Sequence, residues 1–340
     1  MHLSSIVYFR AIAILLIVAG HSYDLAGITG QSYASAYAIN IVTGGTAFFV
    51  FISGYMFNHV FVKRYAYGKF MRGKVNNVLT PYLIFASLAA VWFLTSDPDY
   101  GAWAVGKSHP LWQGAKLVAT GNVMVAYWFV PFIIVMFALS PLHYLFAKAP
   151  GRAQAAVVAV TLVLGLLAYR PVANLNVIQS VVYYTPVYLI GILTSVYREP
   201  FLNWVRGKEP LLIVASLALV AVQTAVTVPG NAVKPMFELA PPDIMLIQKL
   251  LISLTLFAVL ERWSDWSSPL LVRVSDMSFS IFFLHPIGLL ILGALGHTRV
   301  TGLPWVDLWL VTAVNVAFCM AIAGGIKLVL AGNSRRVVGY

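Results

Sequence analysis

Two ionisable residues, Arg10 and His21, lie within the first apolar segment of the chain. Over that separation an α-helix rises about 16 Å, and the two side chains point within about 20° of the same direction. One helix would therefore present an arginine and a histidine on the same side, at different depths of a membrane. Charged groups in transmembrane helices are costly, so they usually face a bundle interior or a watery cavity and mark a pathway or reaction site.

An imidazole titrates near neutral pH, which makes His21 a candidate general base. Asp24 follows three residues later, close to the same helix face, where its carboxylate could orient the imidazole. Each residue also has a simpler interpretation. Arg10 could extend from a helix end to the lipid headgroups, His21 could be a core residue bonded to a carbonyl, and Asp24 could be solvated in a loop.

The composition predicts an integral membrane protein. Of the 340 residues, 60% are hydrophobic and 10% are charged, whereas a soluble domain carries about 25% charged residues. The net charge of +11 is interpreted as membrane orientation, and we expect no nucleic-acid partner. With one cysteine and no Cys/His cluster at metal-site spacing, we expect neither an intrachain disulfide nor a metal.

Apolar runs predict an all-α bundle of about ten transmembrane helices. No polar stretch is long enough to fold alone, so we expect a single membrane-embedded domain over residues 1–340. The residues leave the oligomeric state open, a homo-oligomer included. The predicted spans are 5–23, 41–61, 78–95, 125–146, 153–169, 177–197, 210–228, 242–261, 276–296 and 305–330.

Positive charges predict that both termini are cytoplasmic. Arg10 and Lys249 lie within spans. Five of the 22 basic residues then fall in outside loops: Lys107, Lys116, Arg170, Lys234 and Arg299. Fifteen fall on the inside: Lys63, Arg64, Lys69, Arg72, Lys74, Lys148, Arg152, Arg198, Arg206, Lys208, Arg262, Arg273, Lys327, Arg335 and Arg336.

The second span and the loop after it carry further candidates. Small residues in the span permit close helix packing or leave room for a ligand: Gly44, Gly45, Ser53 and Gly54. The cations of residues 63–74 suit an anchor on anionic lipid, or a docking surface for a phosphorylated cofactor. Four more polar residues in or near spans could line a cavity or be hydrogen-bonded helix residues: His59, His143, His285 and Lys249.

Taken in order along the chain, these features resemble acyltransferase family 3, integral-membrane O-acyltransferases of mostly bacterial cell-envelope glycans. Arg10 and His21 match the family's basic residue, ten-residue gap and histidine. The other matching stretches are FFVFISGY at 48–55, the basic loop leading into Pro-Tyr at 69–82, WFVP at 128–131 and SFSIFFLHP at 278–286. In one departure, Lys74 and Asn77 stand where members often have Arg-x-x-Arg, while Lys69 and Arg72 keep paired cations one turn earlier.

The resemblance implies an O-acyltransferase of the bacterial plasma membrane. The donor would be a cytoplasmic acyl-CoA, most simply acetyl-CoA, whose phosphates would be bound by Arg10, Lys69, Arg72 and Lys74. The acceptor would be a hydroxyl of a cell-surface polysaccharide or lipid-linked glycan. His21, oriented by Asp24, would be the general base or a transient acyl carrier. This mechanism requires His21 to be reachable by the thioester from one side and by the alcohol from the other.

Two other functions fit the same residues. A secondary transporter or exporter of a small acid or glycan would also have many spans and buried basic residues, although few acidic residues lie inside the spans and no repeat pair is visible. A non-catalytic assembly or sensing subunit of an envelope-polymer system would have neither acyl-CoA nor glycan bound.

Overall fold

The computed structural model describes residues 4–264, 268–296, 298–330 and 334. Within them the chain is helical, without strands. The eighteen α-helices are α1 Ser4–Gly20, α2 Tyr23–Ala26, α3 Tyr33–Val42, α4 Gly45–Met56, α5 Tyr67–Lys74, α6 Thr80–Ser96, α7 Ala102–Val105, α8 Pro110–Thr120, α9 Phe129–Ala138, α10 Ser140–Lys148, α11 Gly151–Ala168, α12 Val177–Val196, α13 Arg198–Val205, α14 Glu209–Val226, α15 Ile244–Arg262, α16 Pro269–Asp276, α17 Ser278–Leu295 and α18 Pro304–Leu330.

The structure confirms the predicted all-α membrane bundle. Helices suit a membrane because a chain in lipid must satisfy its backbone polar groups within helices or closed barrels. Eight helices or continuous helix groups of the described residues are long and apolar enough to cross a membrane. The pair α9 and α10 adds a ninth if both form one span, bent by 55°. At 17 residues, α1 is a shorter apolar helix. Each predicted span falls on one of these segments, while the number ten and the cytoplasmic termini stay predictions. Arg335 and Arg336 lie outside the described residues.

The bend between α9 and α10 follows from the sequence at that point. Pro141 is in the first turn of α10 and has no N–H to continue the hydrogen-bond ladder from α9. The chain therefore changes direction at Leu139, and α10 leaves the line of α9.

Helix α1 lies inside the bundle and packs against α4, α15, α16, α17 and α18. Ten of its 17 residues are buried, so polar groups along it face protein or cavities rather than lipid. The helix thereby carries Arg10 and the adjoining His21 into the interior, as the costs of burying charge in lipid require.

Helices α4 and α12 approach each other through a reciprocal pair of glycines. A Cβ atom at Gly54 would lie 2.0 Å from the carbonyl oxygen of Tyr188, and one at Gly191 would lie 2.2 Å from that of Phe51. Only glycine permits this backbone contact, which confirms close packing as one role of the small residues in the second span.

The second predicted span is broken near its start, between α3 and α4. Gly44 takes a left-handed conformation with φ of 89°, and Lys249 donates from Nζ to the carbonyl oxygens of Asn40 (2.7 Å) and Ile41 (3.1 Å). The buried lysine thus satisfies carbonyls at the C-terminal end of α3 that have no helical partner. This break turns the N-terminus of α4 toward a cavity.

Candidate active site

His21, just beyond the end of α1, meets His285 of α17. The Nδ1 atom of His21 lies 3.2 Å from Nε2 of His285, and the two rings stack with centroids 5.3 Å apart and planes 14° apart. His285 is fully buried, and its Nδ1 lies 3.0 Å from the carbonyl oxygen of Ile281. Asn315 of α18 donates to the His285 carbonyl oxygen at 3.1 Å, which anchors this turn of α17.

These contacts fix the protons on both rings. The Ile281 carbonyl can only accept, so Nδ1 of His285 carries a proton. In a neutral His285 the Nε2 atom is then an acceptor, and Nδ1 of His21 must donate to it. Nε2 of His21 is left unprotonated, with the lone pair that a general base needs.

His21 lines a cavity of about 460 Å³, here called the histidine cavity. Its wall combines aromatic rings with side-chain amides and one guanidinium. Arg170 supplies the guanidinium and is buried, at 6% exposure. The other polar and aromatic side chains of the wall include Tyr100, Trp103, Asn122, Trp128, Asn174, Asn231 and Phe282.

The N-terminus of α4 also opens into the histidine cavity, through Gly44, Gly45 and Thr46. No side chain caps this end of the helix, and the first backbone N–H groups of any helix have no partner within it. The positive end of the helix dipole therefore faces the same space as the His21 imidazole.

Asp24 is placed elsewhere. The short helix α2 leaves it exposed, and it lines a separate surface pocket with Arg299. The contact with His21 is made instead by His285, 264 positions along the chain. The sequence predicts His285 as one of four polar residues of the spans and as part of a family-like stretch, but not as the partner of His21. The late SFSIFFLHP stretch was the signal that could have identified it.

A second cavity, of about 910 Å³, holds most of the predicted donor-binding residues; it is called the basic cavity here. It is lined by Arg10, Lys69, Lys74 and Asn77. Two further cations line it as well: Arg64, which belongs to the predicted lipid anchor or docking surface of residues 63–74, and Lys327, which is predicted only as an inside charge. Arg10 donates from Nε to the Ser275 hydroxyl at 2.9 Å and lies 3.7 Å from Asp276.

Two of the predicted loop cations differ in their surroundings. The Lys74 ammonium lies over three aromatic rings, 4.3 Å from the Phe137 centroid, 5.1 Å from that of Phe70 and 5.3 Å from that of Phe61. Arg72, in contrast, is exposed and is not among the residues that line the basic cavity. Of the predicted site residues, Arg10, Lys69 and Lys74 therefore line the basic cavity and His21 lines the histidine cavity. Arg72 and Asp24 line neither.

The two cavities have no lining residue in common among those described. Between α1 and α4, Phe9 packs against Phe48 and Phe51 with ring centroids 5.8 Å apart. Along α17, Phe279 lines the basic cavity and Phe282 the histidine cavity, and these two residues are separated by about 4.5 Å of helix rise. Phe282 packs against Tyr127, Phe129 and Phe283, so a layer of aromatic rings divides the cavities.

A histidine with an open ring nitrogen faces one cavity, and a cluster of cations faces another. The family model for the acyltransferase 3 domain matches residues 3–324. The chain belongs to acyltransferase family 3. No curated protein and no solved structure matches it.

Membership in acyltransferase family 3 supports acyltransferase activity in a multi-pass membrane protein, and it confirms the resemblance seen in the sequence. Two motifs of that resemblance, the Arg-His pair of α1 and the SFSIFFLHP stretch of α17, meet at the stacked histidines. Within the described residues, no group of three or more His, Cys, Asp or Glu side chains could hold a metal ion.

Proposed function

We propose that this protein is an O-acyltransferase of the bacterial plasma membrane, most simply an O-acetyltransferase. The acyl donor is a cytoplasmic acyl-CoA bound in the basic cavity. The acceptor is a hydroxyl of a cell-surface polysaccharide or lipid-linked glycan bound in the histidine cavity. The observation that carries the proposal is the His21–His285 contact, because it leaves Nε2 of His21 unprotonated at a cavity wall.

In the proposed reaction, Nε2 of His21 takes the proton of the acceptor hydroxyl while that oxygen attacks the thioester carbonyl. The carbonyl π bond opens to an oxyanion, which the N–H groups of the first residues of α4, Gly45 and Thr46, are suited to stabilise because they have no partner within the helix. When the carbonyl re-forms, the C–S bond breaks, and the sulfur leaves as coenzyme A carrying the proton from His21. The products are an ester and a free thiol, and His21 returns to its starting state.

His285 is proposed as the positioning residue for this base. By accepting from Nδ1 of His21, it holds the ring in one orientation and one tautomer, and it stabilises the imidazolium that forms during transfer. The local alternative, Asp24, lines a different pocket. A transient acyl group on Nε2 of His21 is a variant of the same mechanism, in which the attacking nucleophile is the imidazole itself.

The basic cavity supports the donor side of the proposal. Arg10, Lys69, Lys74 and the added Arg64 and Lys327 surround one space, and several cations together suit the phosphates of an acyl-CoA. Aromatic side chains of the same wall, Phe61, Tyr65 and Phe279, offer faces on which a purine base can stack. The predicted orientation, with most positive charges at the cytoplasm, would put this cavity on the cytoplasmic side of the membrane.

The histidine cavity supports a glycan acceptor. Amides donate and accept hydrogen bonds and so suit sugar hydroxyls, and flat indole and phenol rings suit the apolar faces of sugar rings. Asn231 is notable because its Oδ1 is buried without a partner among the described residues. A hydroxyl group bound in the cavity would satisfy it.

Transfer then requires the aromatic layer between the cavities to open. Phe282 and Phe129 are side chains of that layer that line the histidine cavity, and Phe279, one turn from Phe282 along α17, lines the basic one. A change in the Phe282 rotamer would let the pantetheine arm, anchored by its phosphates, bring its thioester to His21.

The deciding experiment uses the full chain purified into lipid nanodiscs with labelled acetyl-CoA and envelope glycan extract. Wild-type protein should place one acetyl group per modified hydroxyl, seen by mass spectrometry and removed by mild alkali. His21→Ala should insert normally and lower the rate by about 10²- to 10⁴-fold. Wild-type turnover by this variant would remove His21 from the chemistry. In a parallel reconstitution into closed vesicles, flux of a small acid without covalent label would favour a transporter.

A further inference from the structure

Arg170 is a buried cation of the histidine cavity that the reaction does not use. It follows α11 and is only 6% exposed, yet it lines the same space as His21. Its Nη2 atom donates to Oδ1 of Asn174 at 2.9 Å, and its guanidinium lies over the Trp128 ring at 5.1 Å. Neither of these partners carries a negative charge.

The charge of Arg170 is not matched by a carboxylate in the part of the chain that the structure describes. None of the ion pairs there includes Arg170, and its buried Nε atom has no hydrogen-bond partner. The Asp243 carboxylate forms no ion pair with Arg170 and accepts instead from the Tyr183 hydroxyl (2.7 Å) and the Met245 N–H (3.0 Å). A buried charge without a counter-ion is costly, so such sites usually serve a ligand.

The backbone around Arg170 is built to hold this geometry. Tyr169, Ala173 and Asn174 all have positive φ angles, of 60°, 49° and 57°, which non-glycine residues adopt rarely and mostly where surrounding structure enforces them. The carbonyl oxygen of Arg170 accepts from the Lys234 N–H at 3.1 Å. Loop strain of this kind would be an unnecessary cost if the guanidinium were only a surface anchor.

We infer that Arg170 binds an anionic group of the acceptor, a carboxylate or a phosphate, and so selects an acidic glycan. This inference rests on the proposed function for the identity of the acceptor. A guanidinium binds planar or tetrahedral oxyanions through paired N–H groups, and here Asn174 and Trp128 hold its plane at the cavity wall. An acidic sugar would offer the carboxylate, and a lipid-linked sugar would offer the phosphate.

The test measures binding without acyl-CoA, so that it does not depend on catalysis. Full-chain protein in nanodiscs is titrated with methyl glucuronide, with methyl glucoside, which lacks the carboxylate, and with glucose 1-phosphate. Wild type should bind at least one anionic probe about 10- to 100-fold more tightly than the neutral glucoside. Preference for the glucuronide indicates an acidic sugar, and preference for the phosphate indicates a sugar-phosphate linkage.

Three variants separate the inference from a structural role. Arg170→Gln should remove the preference while keeping glucoside binding. Asn174→Asp places a carboxylate on the guanidinium, at a position whose backbone aspartate tolerates, and should remove the preference with the arginine still present. Arg299→Gln removes one charge from a different pocket and should change nothing.

Equal binding of charged and neutral probes to wild type would overturn the inference, as would loss of both kinds of binding together in Arg170→Gln and Asn174→Asp.

Acetyl transfer is measured in parallel with acetyl-CoA and the same three probes. Anion preference without transfer to any of them would leave Arg170 as an anion site and count against the proposed function. Transfer to all three probes at equal rates would support the proposed function and count against an anion site at Arg170.

Discussion

The histidine pair gives each ring a separate task. A carbonyl of α17 fixes the proton of His285, His285 fixes the proton of His21, and the remaining nitrogen of His21 is open for catalysis. The order of donors and acceptors matters more than the basicity of either ring, because a base that is hydrogen-bonded in the wrong tautomer cannot accept a proton. The proposed mechanism therefore includes His285, although it need not touch either substrate.

Substitution of His285 tests that division of tasks. His285→Leu removes the acceptor for Nδ1 of His21, and we expect kcat to fall about 10- to 100-fold with little change in the KM for acetyl-CoA. His285→Gln retains an acceptor oxygen and should recover much of the loss. Steady-state kinetics of both variants in nanodiscs, alongside their thermal midpoints, make the measurement. An equal effect of Leu and Gln would reduce His285 to a packing residue.

Arg10 and Arg72 form a matched pair for the donor site. Arg10 lines the basic cavity, so Arg10→Ala should raise the KM for acetyl-CoA about tenfold or more by removing a charge-assisted contact. Arg72 is exposed outside that lining, and Arg72→Ala should change KM less than about threefold. The two saturation curves, with thermal unfolding as the control for folding, decide this. A larger effect at Arg72 would place the coenzyme outside the basic cavity.

Local spacing predicted some of these residues and could not predict others. Arg10 lies in α1 and His21 directly follows its last residue, with the His21 N–H still bonded to the carbonyl of Ile17, so their common face follows from helix geometry. Sequence spacing likewise predicts Asp24 as the partner of His21, because spacing relates only residues that are close along the chain. The actual neighbours, His285 and Arg170, come from segments whose approach depends on how the helices pack. No periodicity in a single sequence encodes that approach.

At the scale of elements, interruptions of helices shape the two cavities. The break at Gly44 ends α3 and directs the start of α4 at His21. On the other cavity, π-helical turns at Phe57–Phe61 and Val75–Leu79 flank the cationic loop, and such turns are frequent at functional sites. Sequence patterns located the apolar spans to within a few residues, but continuous apolar runs gave no sign of these interruptions.

The aromatic layer makes Phe282 a control point for transfer. Phe282→Leu shortens the side chain between the cavities, and we expect acetyl-CoA hydrolysis without acceptor to rise severalfold as water and thioester gain access to each other. Phe283→Leu is the matched control, since Phe283 packs in the same layer but lines neither cavity. Release of free thiol, followed with a chromogenic disulfide, reports the rate. Equal hydrolysis in both variants would place the passage elsewhere.

For the molecule as a whole, the proposed function divides the chemistry between two faces of the bundle. The basic cavity collects cations from α1, the loop after the second span and α18, which the positive-inside bias puts at the cytoplasm. The histidine cavity collects aromatic and amide groups from loops that the same bias puts outside. Donor and acceptor can then approach one imidazole from opposite sides, with neither crossing the bilayer entirely.

Single-cysteine labelling tests this orientation. The sole cysteine, Cys319, is buried, and Cys319→Ser gives a background that a membrane-impermeant maleimide should not label. On that background, Lys107→Cys lies before α8 and Lys148→Cys ends α10, so the bent pair α9 and α10 separates them. Intact cells should label position 107 alone, and permeabilised cells should label both. The reverse pattern would put the basic cavity outside, away from cytoplasmic acyl-CoA. Labelling of both sites from outside would mean that the bent pair enters and leaves the membrane on one face, which would remove one crossing from the predicted ten.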